Sequence, residues 1–250
     1  MDVKLKTREE IMIMRESCVI AAKTLDMIES YIKPGISTLE LDKLCHDFIM
    51  NHNAIPSPLN YRGFPKSICT SINDVVCHGI PDKTVLSDGD IINVDVTVYK
   101  NNFHGDTSRT YLVGKVSDED QKLVEFTKHC LDKAIEIVRP GIHIGDIGHC
   151  IQTLAEAEGY GVVDNYCGHG IGRDFHEDPS VVHVGKPNTG YLIREGMVFT
   201  IEPMINRGSA KNYCMDDGWT VKTRDGSNSS QFEHTMAVTS YGVDVLTNIH

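Results

Sequence analysis

The sequence predicts a mixed α/β fold with two similar halves, and three observations lead to this prediction. Residues 8–50 show the periodicity of amphipathic helices, the chain from Val75 onward alternates like β-strands, and this order then recurs once. A chain of 250 residues can bury a core without disulfides or a structural metal. We therefore expect a single domain over residues 1–250, with halves at about 8–115 and 118–250.

The first half opens with two predicted helices. Thr7–Glu10 has the pattern of a capping box, and the helix that follows ends at Pro34-Gly35. A second capping box at Ser37–Glu40 opens a helix that runs to about Met50. The segment Ala54–Ser71 is rich in Pro, Gly, Ser and Asn, which predicts an irregular loop. The first helix has one apolar face, formed by Ile11, Met14, Cys18, Ala21, Leu25, Ile28 and Ile32.

A β-hairpin follows, and it brings two carboxylates together. Residues 91–99 alternate between apolar and polar side chains, which places Asp95 and Thr97 on one face of a strand. Asn101-Asn102 suits a two-residue turn, and that turn sets Thr97 opposite Asp106. Asp95 and Asp106 are then diagonal neighbours, about 7–8 Å apart. On a solvated face they would need no partner, but on this apolar strand they require a proton or a cation between them.

The second half repeats the order of the first. We predict helices over Gln121–Val138, after the cap-like Ser117, and over about Asp146–Ala157, followed beyond Val162 by short strands with glycine-rich turns.

Two sequence motifs recur between the halves. Lys33–Ile36 recurs as Arg139–Ile142, and Asp88–Asp95 recurs as Glu195–Glu202. The glycines of the two motifs are 54 positions apart in the first half and 55 in the second. Chance similarity between common turn sequences is the alternative. If the repeat is real, Asp95 and Glu202 occupy equivalent positions and face each other across an axis.

Composition excludes several classes of function. A net charge of −11 argues against electrostatic binding of nucleic acid, although a local basic face could still dock onto a larger ribonucleoprotein. No run of about 18 apolar residues predicts a membrane span, and the N-terminus does not have the pattern of a signal peptide. The eight cysteines include no C-x-x-C pair, so we expect reduced thiols in a cytoplasmic protein rather than a disulfide scaffold or a zinc module.

Three further residues could join the two aspartates in binding metal. His169 lies among glycines in Gly168–Gly172, which would let the backbone approach a ligand, although a lone histidine is more often a core residue. Glu202 precedes Pro203, which should end its strand, and Glu233 precedes an apolar stretch. Four carboxylates and one imidazole suit two divalent ions such as manganese, iron or cobalt.

These motifs together resemble the type I methionine aminopeptidases. The resemblance covers nearly the whole chain in the right order, and its specificity rests on the set of motifs rather than on any one of them. The motifs are Cys77–Pro81, Asn93–Asp95, Phe103–Ser108, Gly168–Gly172, Phe175–Glu177, Thr200–Pro203 and Glu233–Thr235.

The resemblance implies a fold, an activity and a metal centre. The fold is the pita-bread fold, in which two pseudo-symmetric halves share an antiparallel sheet flanked by helices. The activity is metal-dependent removal of the N-terminal methionine from nascent proteins and peptides, with a preference for a small second residue. Two divalent ions (cobalt, manganese, iron or zinc) would be bound, with Asp106 and Glu233 bridging both. The implied ligands are Asp95, Asp106, His169, Glu202 and Glu233.

The resemblance also implies how substrate is held. His78 and His176 would contact the scissile peptide, and Glu202 would accept a proton from the attacking water. Relatives can have a cysteine where this chain has Pro58, which affects the shape of the pocket. The implied methionine pocket is formed by Tyr61, Phe64, Cys69, Phe175 and Trp219. A monovalent cation is implied near Asn73, Val75 and Ser229.

Chain length and the ligand set separate this expectation from its rivals. No long insertion fits between His176 and Glu202, which favours the compact bacterial type. A proline-specific aminopeptidase of the same fold usually has an additional N-terminal domain. A binding protein that has lost the chemistry should lack ligands, whereas this chain has all five. We expect a monomer that acts on peptides with N-terminal methionine, contacts the ribosome transiently and does not bind membranes.

Overall fold

A computed structural model of the chain describes residues 3–249, which form four helices around antiparallel sheets. The helices are α1 (Arg8–Glu29), α2 (Thr38–Asn51), α3 (Asp118–Ile137) and α4 (Ile144–Ala157). The strands are β1 (Ile55–Pro56), β2 (Cys69–Ile72), β3 (Val75–Cys77), β4 (Ile91–Lys100), β5 (Phe103–Leu112), β6 (Gly161–Val162), β7 (Gly168–Gly170), β8 (Glu177–Val181), β9 (Val198–Ile201), β10 (Met204–Asn206), β11 (Asn212–Cys214), β12 (Val221–Thr223), β13 (Ser229–Gln231), β14 (Glu233–Val238) and β15 (Val243–Val245).

Both capping boxes predicted in the first half are confirmed. The hydroxyls of Thr7 and Ser37 accept from the backbone N–H three residues on, and Glu10 and Glu40 accept in return from the cap N–H groups.

The predicted starts of α3 and α4 were too late. Ser117 caps α3 directly, so the helix begins at Asp118, because three acidic residues in its first turn suit the positive end of the helix dipole. Helix α4 begins at Ile144, since the carboxylate of Asp146 accepts from the backbone N–H of His143 and fixes the first turn there.

The large sheet joins the two halves through its central strands. Its order is β1-β4-β5-β14-β9-β7-β8, with β2 on β4 and β15 on β14, and every pair is antiparallel. Helices α1 and α2 pack on β4 and β5, and α3 and α4 pack on the strands of the second half. The predicted apolar face of β4 lies in the core that it forms with α1 and α2. Its residues are Ile92, Val94, Val96 and Val98. This arrangement confirms the predicted fold class.

The repeated motifs form matching turns. The N–H groups of Gly35 and Gly141, at φ +97° and +95°, donate to Leu86 and Ile193 at 2.9 and 3.0 Å. A positive φ favours glycine, which explains why this residue recurs at both turns. The sequence repeat is therefore visible in the backbone hydrogen bonds of both halves.

The segment predicted as an irregular loop, Ala54–Ser71, is only partly irregular. It begins with β1, contains a 3₁₀ turn at Tyr61–Gly63, and ends inside β2. Strand β2 pairs with β4, so Cys69 lies opposite Asp95. The prediction was wrong there because the partner strand is distant in sequence.

Gly105 sets the position of α1 over the sheet. A Cβ at Gly105 would lie 2.4 Å from the backbone nitrogen of Cys18 in α1, so only glycine allows this approach. The close contact fixes β5 beside the helix, and the next residue, Asp106, points to the opposite face of the sheet. Among the helices of residues 3–249, none has the length and apolarity needed to cross a membrane.

Candidate active site

The β4–β5 hairpin has the predicted register. Asn101 and Asn102 adopt positive φ values of 51° and 66°, which suits the two central positions of a type I′ turn. Thr97 lies opposite Asp106 and its hydroxyl donates to that carboxylate at 2.7 Å. Asp95 lies opposite Ser108, so the two aspartates are diagonal neighbours on one face.

The central pair of strands places Glu233 beside Asp106. Glu233 lies opposite Ser108 across β5 and β14, and the Thr107 hydroxyl donates to its backbone carbonyl at 2.7 Å. Asp106 and Glu233 are 3% and 2% exposed, which leaves their charges without solvation by water. Glu233 therefore faces the buried cluster and not the solvent.

His169 and Glu202 complete the cluster from the second half. The Nε2 atom of His169 is 3.6 Å from Oδ2 of Asp106 and 3.9 Å from Oε1 of Glu202. The other ring nitrogen, Nδ1, donates to the Gly170 carbonyl at 2.9 Å, which directs Nε2 at the carboxylates. Glu202 follows β9 directly, and Pro203 then interrupts the strand.

Glu202 is fixed by two neutral side chains. Its carboxylate accepts from the Thr200 hydroxyl at 2.8 Å and from the Gln231 amide at 3.2 Å. Its backbone N–H donates to Nε2 of the buried His183 at 3.3 Å. These partners hold the carboxylate towards the cavity.

Burial makes the carboxyl groups of the cluster weaker acids. It raises the pKa of Asp95 and Glu233 well above their ordinary values, and the neighbouring carboxylates add to the effect. Burial also raises the pKa of Glu202 to about 7, even though His169 opposes it. Burial alone would lower the pKa of His169, but the hydrogen bond with Asp106 and the charge of Glu202 raise it above 6.5. The cluster retains protons that a cation could replace.

The donor set fits a divalent metal. Asp106, His169 and Glu233 each offer a ligand atom, and these atoms all lie within 4.8 Å of one another. Asp95 and Glu202 line the same cavity and could supply ligands to a second ion. Oxygen and imidazole donors suit manganese, iron, cobalt or zinc. The nearby thiols of Cys69 and Cys77 have a pKa raised well above 9 by burial, so they remain neutral and are poor ligands.

Close backbone packing requires the glycines on either side of His169. A Cβ at Gly168 would lie 2.4 Å from the Thr200 carbonyl, and one at Gly170 would lie 2.1 Å from the Asp178 carbonyl. These glycines let β7 pack closely between neighbouring backbone segments.

A cavity of about 350 Å³ lies over the cluster, and the predicted site residues line it together. The lining contains the five expected ligands, His78, His176, Pro58, Tyr61, Phe64, Cys69, Phe175 and Trp219.

Aromatic rings form one wall of this cavity. Phe64 is buried and meets Trp219 edge to face at 5.2 Å between ring centroids. The Tyr61 hydroxyl is 2.9 Å from Nδ1 of His176. Although the outer edge of His176 is exposed, packing among rings desolvates it and lowers its pKa to about 3. Burial also lowers the pKa of His78, so both imidazoles are neutral at pH 7.

Several residues at the site were missed in the sequence. Thr97, Tyr166 and Met204 also line the cavity, while Thr200 and Gln231 hydrogen bond Glu202. Thr97 was signalled by the hairpin register, because it shares the face of Asp95. Thr200, Met204 and Gln231 come from strands whose pairing has no local signal, and Tyr166 lies in the loop before β7.

The residues expected near a monovalent cation lie close together. The backbone N–H of Ser229 donates to the Asn73 carbonyl at 2.8 Å, and Asn73 has a positive φ of 52°. The hydroxyl of Ser229 is buried without a hydrogen-bond partner in the described part of the chain. A buried oxygen without a hydrogen-bond partner suits a cation. This support for the cation site comes from Ser229 and not from Val75.

Comparison with known proteins identifies the family. Residues 12–240 match the model of metallopeptidase family M24. The chain belongs to this family. Within it, the chain is 52% identical over 248 residues to the methionine aminopeptidase of Rickettsia prowazekii, a match that covers 99% of this chain and 96% of that protein. It is 51% identical over 249 residues to the methionine aminopeptidase of Escherichia coli K12, covering 99% and 94%.

Solved structures agree with the fold of this M24 chain. The crystal structure of the R. prowazekii enzyme matches with a TM-score of 0.98 at 52% identity, over 99% of this chain and 100% of that one. The Thermotoga maritima methionine aminopeptidase matches with a TM-score of 0.97 at 37% identity, over 99% and 100%. A prolidase from Pyrococcus horikoshii has a TM-score of 0.78 at 23% identity, over 98% of this chain but 64% of its own length, and shows only a shared fold.

Proposed function

We propose that this metallopeptidase removes the N-terminal methionine from peptides and nascent proteins, with a preference for a small second residue. The observation that carries the proposal is the meeting of four carboxylates and His169 beneath a cavity with an aromatic wall. The relatives that match nearly the whole chain carry this activity in their names.

We propose that two divalent ions would be held by Asp95, Asp106, His169, Glu202 and Glu233. Cobalt, manganese, iron or zinc would fit these donors. Such ions, when bound, polarise a carbonyl and lower the pKa of water.

The side chains of the cavity have complementary roles in this proposal. Glu202 accepts the proton of the attacking water, because hydrogen bonds from Thr200 and Gln231 hold its carboxylate towards the cavity. With the Tyr61 hydroxyl donating to Nδ1, the neutral His176 carries its proton on Nε2 and donates to the developing oxyanion. His78, between the Tyr166 and Trp219 rings, orients the scissile peptide.

The cavity also determines which residue is removed. We propose that Tyr61, Phe64, Cys69, Phe175 and Trp219 enclose the methionine side chain, with Pro58 narrowing one edge of the pocket. A free α-amino group would be held beside the carboxylates, which restricts cleavage to the first residue. Further parts of the proposal are a monovalent cation at Asn73, Val75 and Ser229, a monomeric state, a cytoplasmic location and a transient ribosome contact.

Peptide hydrolysis tests the proposed function. The purified chain, loaded in turn with each divalent metal at controlled free concentration, should release methionine from Met-Ala-Ser. It should act far more slowly on Met-Leu-Ser and on Xaa-Pro peptides. Faster cleavage of Xaa-Pro peptides would support the proline-specific alternative, and absence of turnover with every metal would support a binding protein.

A further inference from the structure

A buried ion pair ties the start of the chain to the loop that presents His176. Nζ of Lys6 donates to Oε2 of Glu177 at 2.5 Å, across a separation of 171 residues, and the two side chains are only 5% and 2% exposed. Glu177 belongs to the Phe175–Glu177 motif, yet the proposed chemistry gives it no role. A charged pair so completely removed from water requires both partners, because either charge alone would be unsolvated.

The loop is shaped around this pair. The other Glu177 oxygen, Oε1, accepts from the backbone N–H of Asp174 at 3.2 Å, which closes a turn that contains Phe175 and His176. A Cβ at Gly172 would lie 2.6 Å from Cε of Lys6 and 2.7 Å from Oε1 of Glu177. A side chain at position 172 would therefore have to displace the ion pair.

The Lys6 end of the contact is anchored to the sheet. The backbone N–H of Lys6 donates to the Gly196 carbonyl at 2.7 Å, directly before β9, and Nζ also donates to the Lys4 carbonyl at 3.1 Å. On the loop side, the ring of His104 in β5 stacks on that of Phe175, with 5.4 Å between the ring centroids. The backbone N–H of His104 donates to the Gly172 carbonyl at 2.8 Å. The loop is thus held between β5 and the N-terminal segment.

We propose that Lys6, through its buried ion pair with Glu177, is a positioning residue that holds His176 against the substrate. The proposal rests on the proposed function for its effect on turnover. Lys6 touches neither the carboxylate cluster nor the cavity, so losing it should displace His176 without removing metal. Substrate binding in the aromatic pocket should change little, and the loss should fall on kcat.

Five variants test the proposal in the metal-loaded enzyme. Lys6→Met and Glu177→Gln should each lower kcat on Met-Ala-Ser at least tenfold, with KM changed less than threefold and metal content unchanged. The double variant should be no slower than either single one, because both remove the same interaction. Lys6→Arg should restore at least half of the wild-type kcat. Arg8→Met is the matched control: it removes an exposed ion pair between the N-terminal segment and Glu195 and should change kcat less than twofold.

Amide hydrogen exchange measures how firmly the same loop is held, without depending on turnover. The amides of residues 172–177 should exchange at least tenfold faster in Lys6→Met and in Glu177→Gln than in the wild type or Arg8→Met. This result would support the positioning role even if methionine peptides were not cleaved, an outcome that would overturn the proposed function alone. A lower unfolding temperature with unchanged kcat and unchanged loop exchange would overturn the positioning role. Loss of metal, or a Lys6→Arg variant as slow as Lys6→Met, would also overturn it.

Discussion

Metal-free protein should be destabilised as the pH rises through the range in which Glu202 ionises. Burial, assisted by the charge of Asp106, raises the pKa of this carboxyl from 4.5 to about 7 in the folded chain. The folded state therefore holds the proton more tightly than the unfolded state. This stabilisation is complete below pH 4.5 and is lost as the pH rises through about 7. The difference of about 2.5 between the two pKa values corresponds to about 3 kcal/mol.

Urea unfolding in the presence of a chelator measures this effect. The free energy of unfolding would be determined at pH 5 and pH 8 for the wild type and for Glu202→Gln. Burial lowers the pKa of His183 to about 3 and that of His234 to about 4. These histidines therefore make the folded state more stable as the pH rises. They contribute equally to both proteins, so the comparison removes them. Relative to the wild type, Glu202→Gln should gain about 2.5 kcal/mol between the two pH values, because part of the loss has already occurred at pH 5.

Two further measurements complete this test. Saturating Mn²⁺ should abolish the loss of stability between pH 5 and pH 8 in the wild type, because metal binding displaces the proton of Glu202. Glu125→Gln on the exposed face of α3 is the matched control and should leave the pH dependence unchanged. If the wild type and Glu202→Gln differed in free energy of unfolding by the same amount at both pH values, the raised pKa of Glu202 and its attribution to burial would be refuted.

Three other predictions concern the ligands, the substrate contacts and the packing of α1. Asp106→Asn should abolish metal binding and turnover together, as measured by elemental analysis and peptide hydrolysis; an active, metal-replete variant would exclude this ligand. His176→Ala should keep the metals but lose most of kcat, and a rate near that of the wild type would remove its substrate role. Gly105→Ala should destabilise the fold by about 1–3 kcal/mol in urea, because the new methyl group meets the Cys18 backbone; unchanged stability would show that α1 can shift freely.

Local signals in the sequence were sufficient for the hairpin and the repeat. Asn101-Asn102 fixes the register of β4 and β5, because a two-residue turn allows only one pairing and asparagine tolerates a positive φ. Gly35 and Gly141 mark equivalent turns because each adopts a left-handed conformation. Both features depend on a few adjacent residues, so the pattern alone determined them.

Long-range pairing could not be predicted in the same way. Nothing near Cys69 indicates that its strand pairs with β4, which is why the segment that contains it was expected to be irregular. The contact between Lys6 and Glu177 joins residues with no shared pattern. Such contacts depend on the strand order of the whole sheet, and alternation of side chains specifies a face but not a neighbour.

The repeat explains why the carboxylates meet, and its imperfection explains where substrate can enter. The central strands β5 and β14 bring Asp106 and Glu233 to the pseudo-symmetry axis, while Asp95 and Glu202 flank them on equivalent strands. The halves differ beyond this set. His169 extends the cluster on the side of the second half, whereas the strand beside Asp95 presents the neutral thiol of Cys69. A neutral, apolar neighbour leaves that side of the cluster open to an uncharged side chain, and the aromatic wall begins there. Two identical halves would have given a symmetric charged cleft without an aromatic wall.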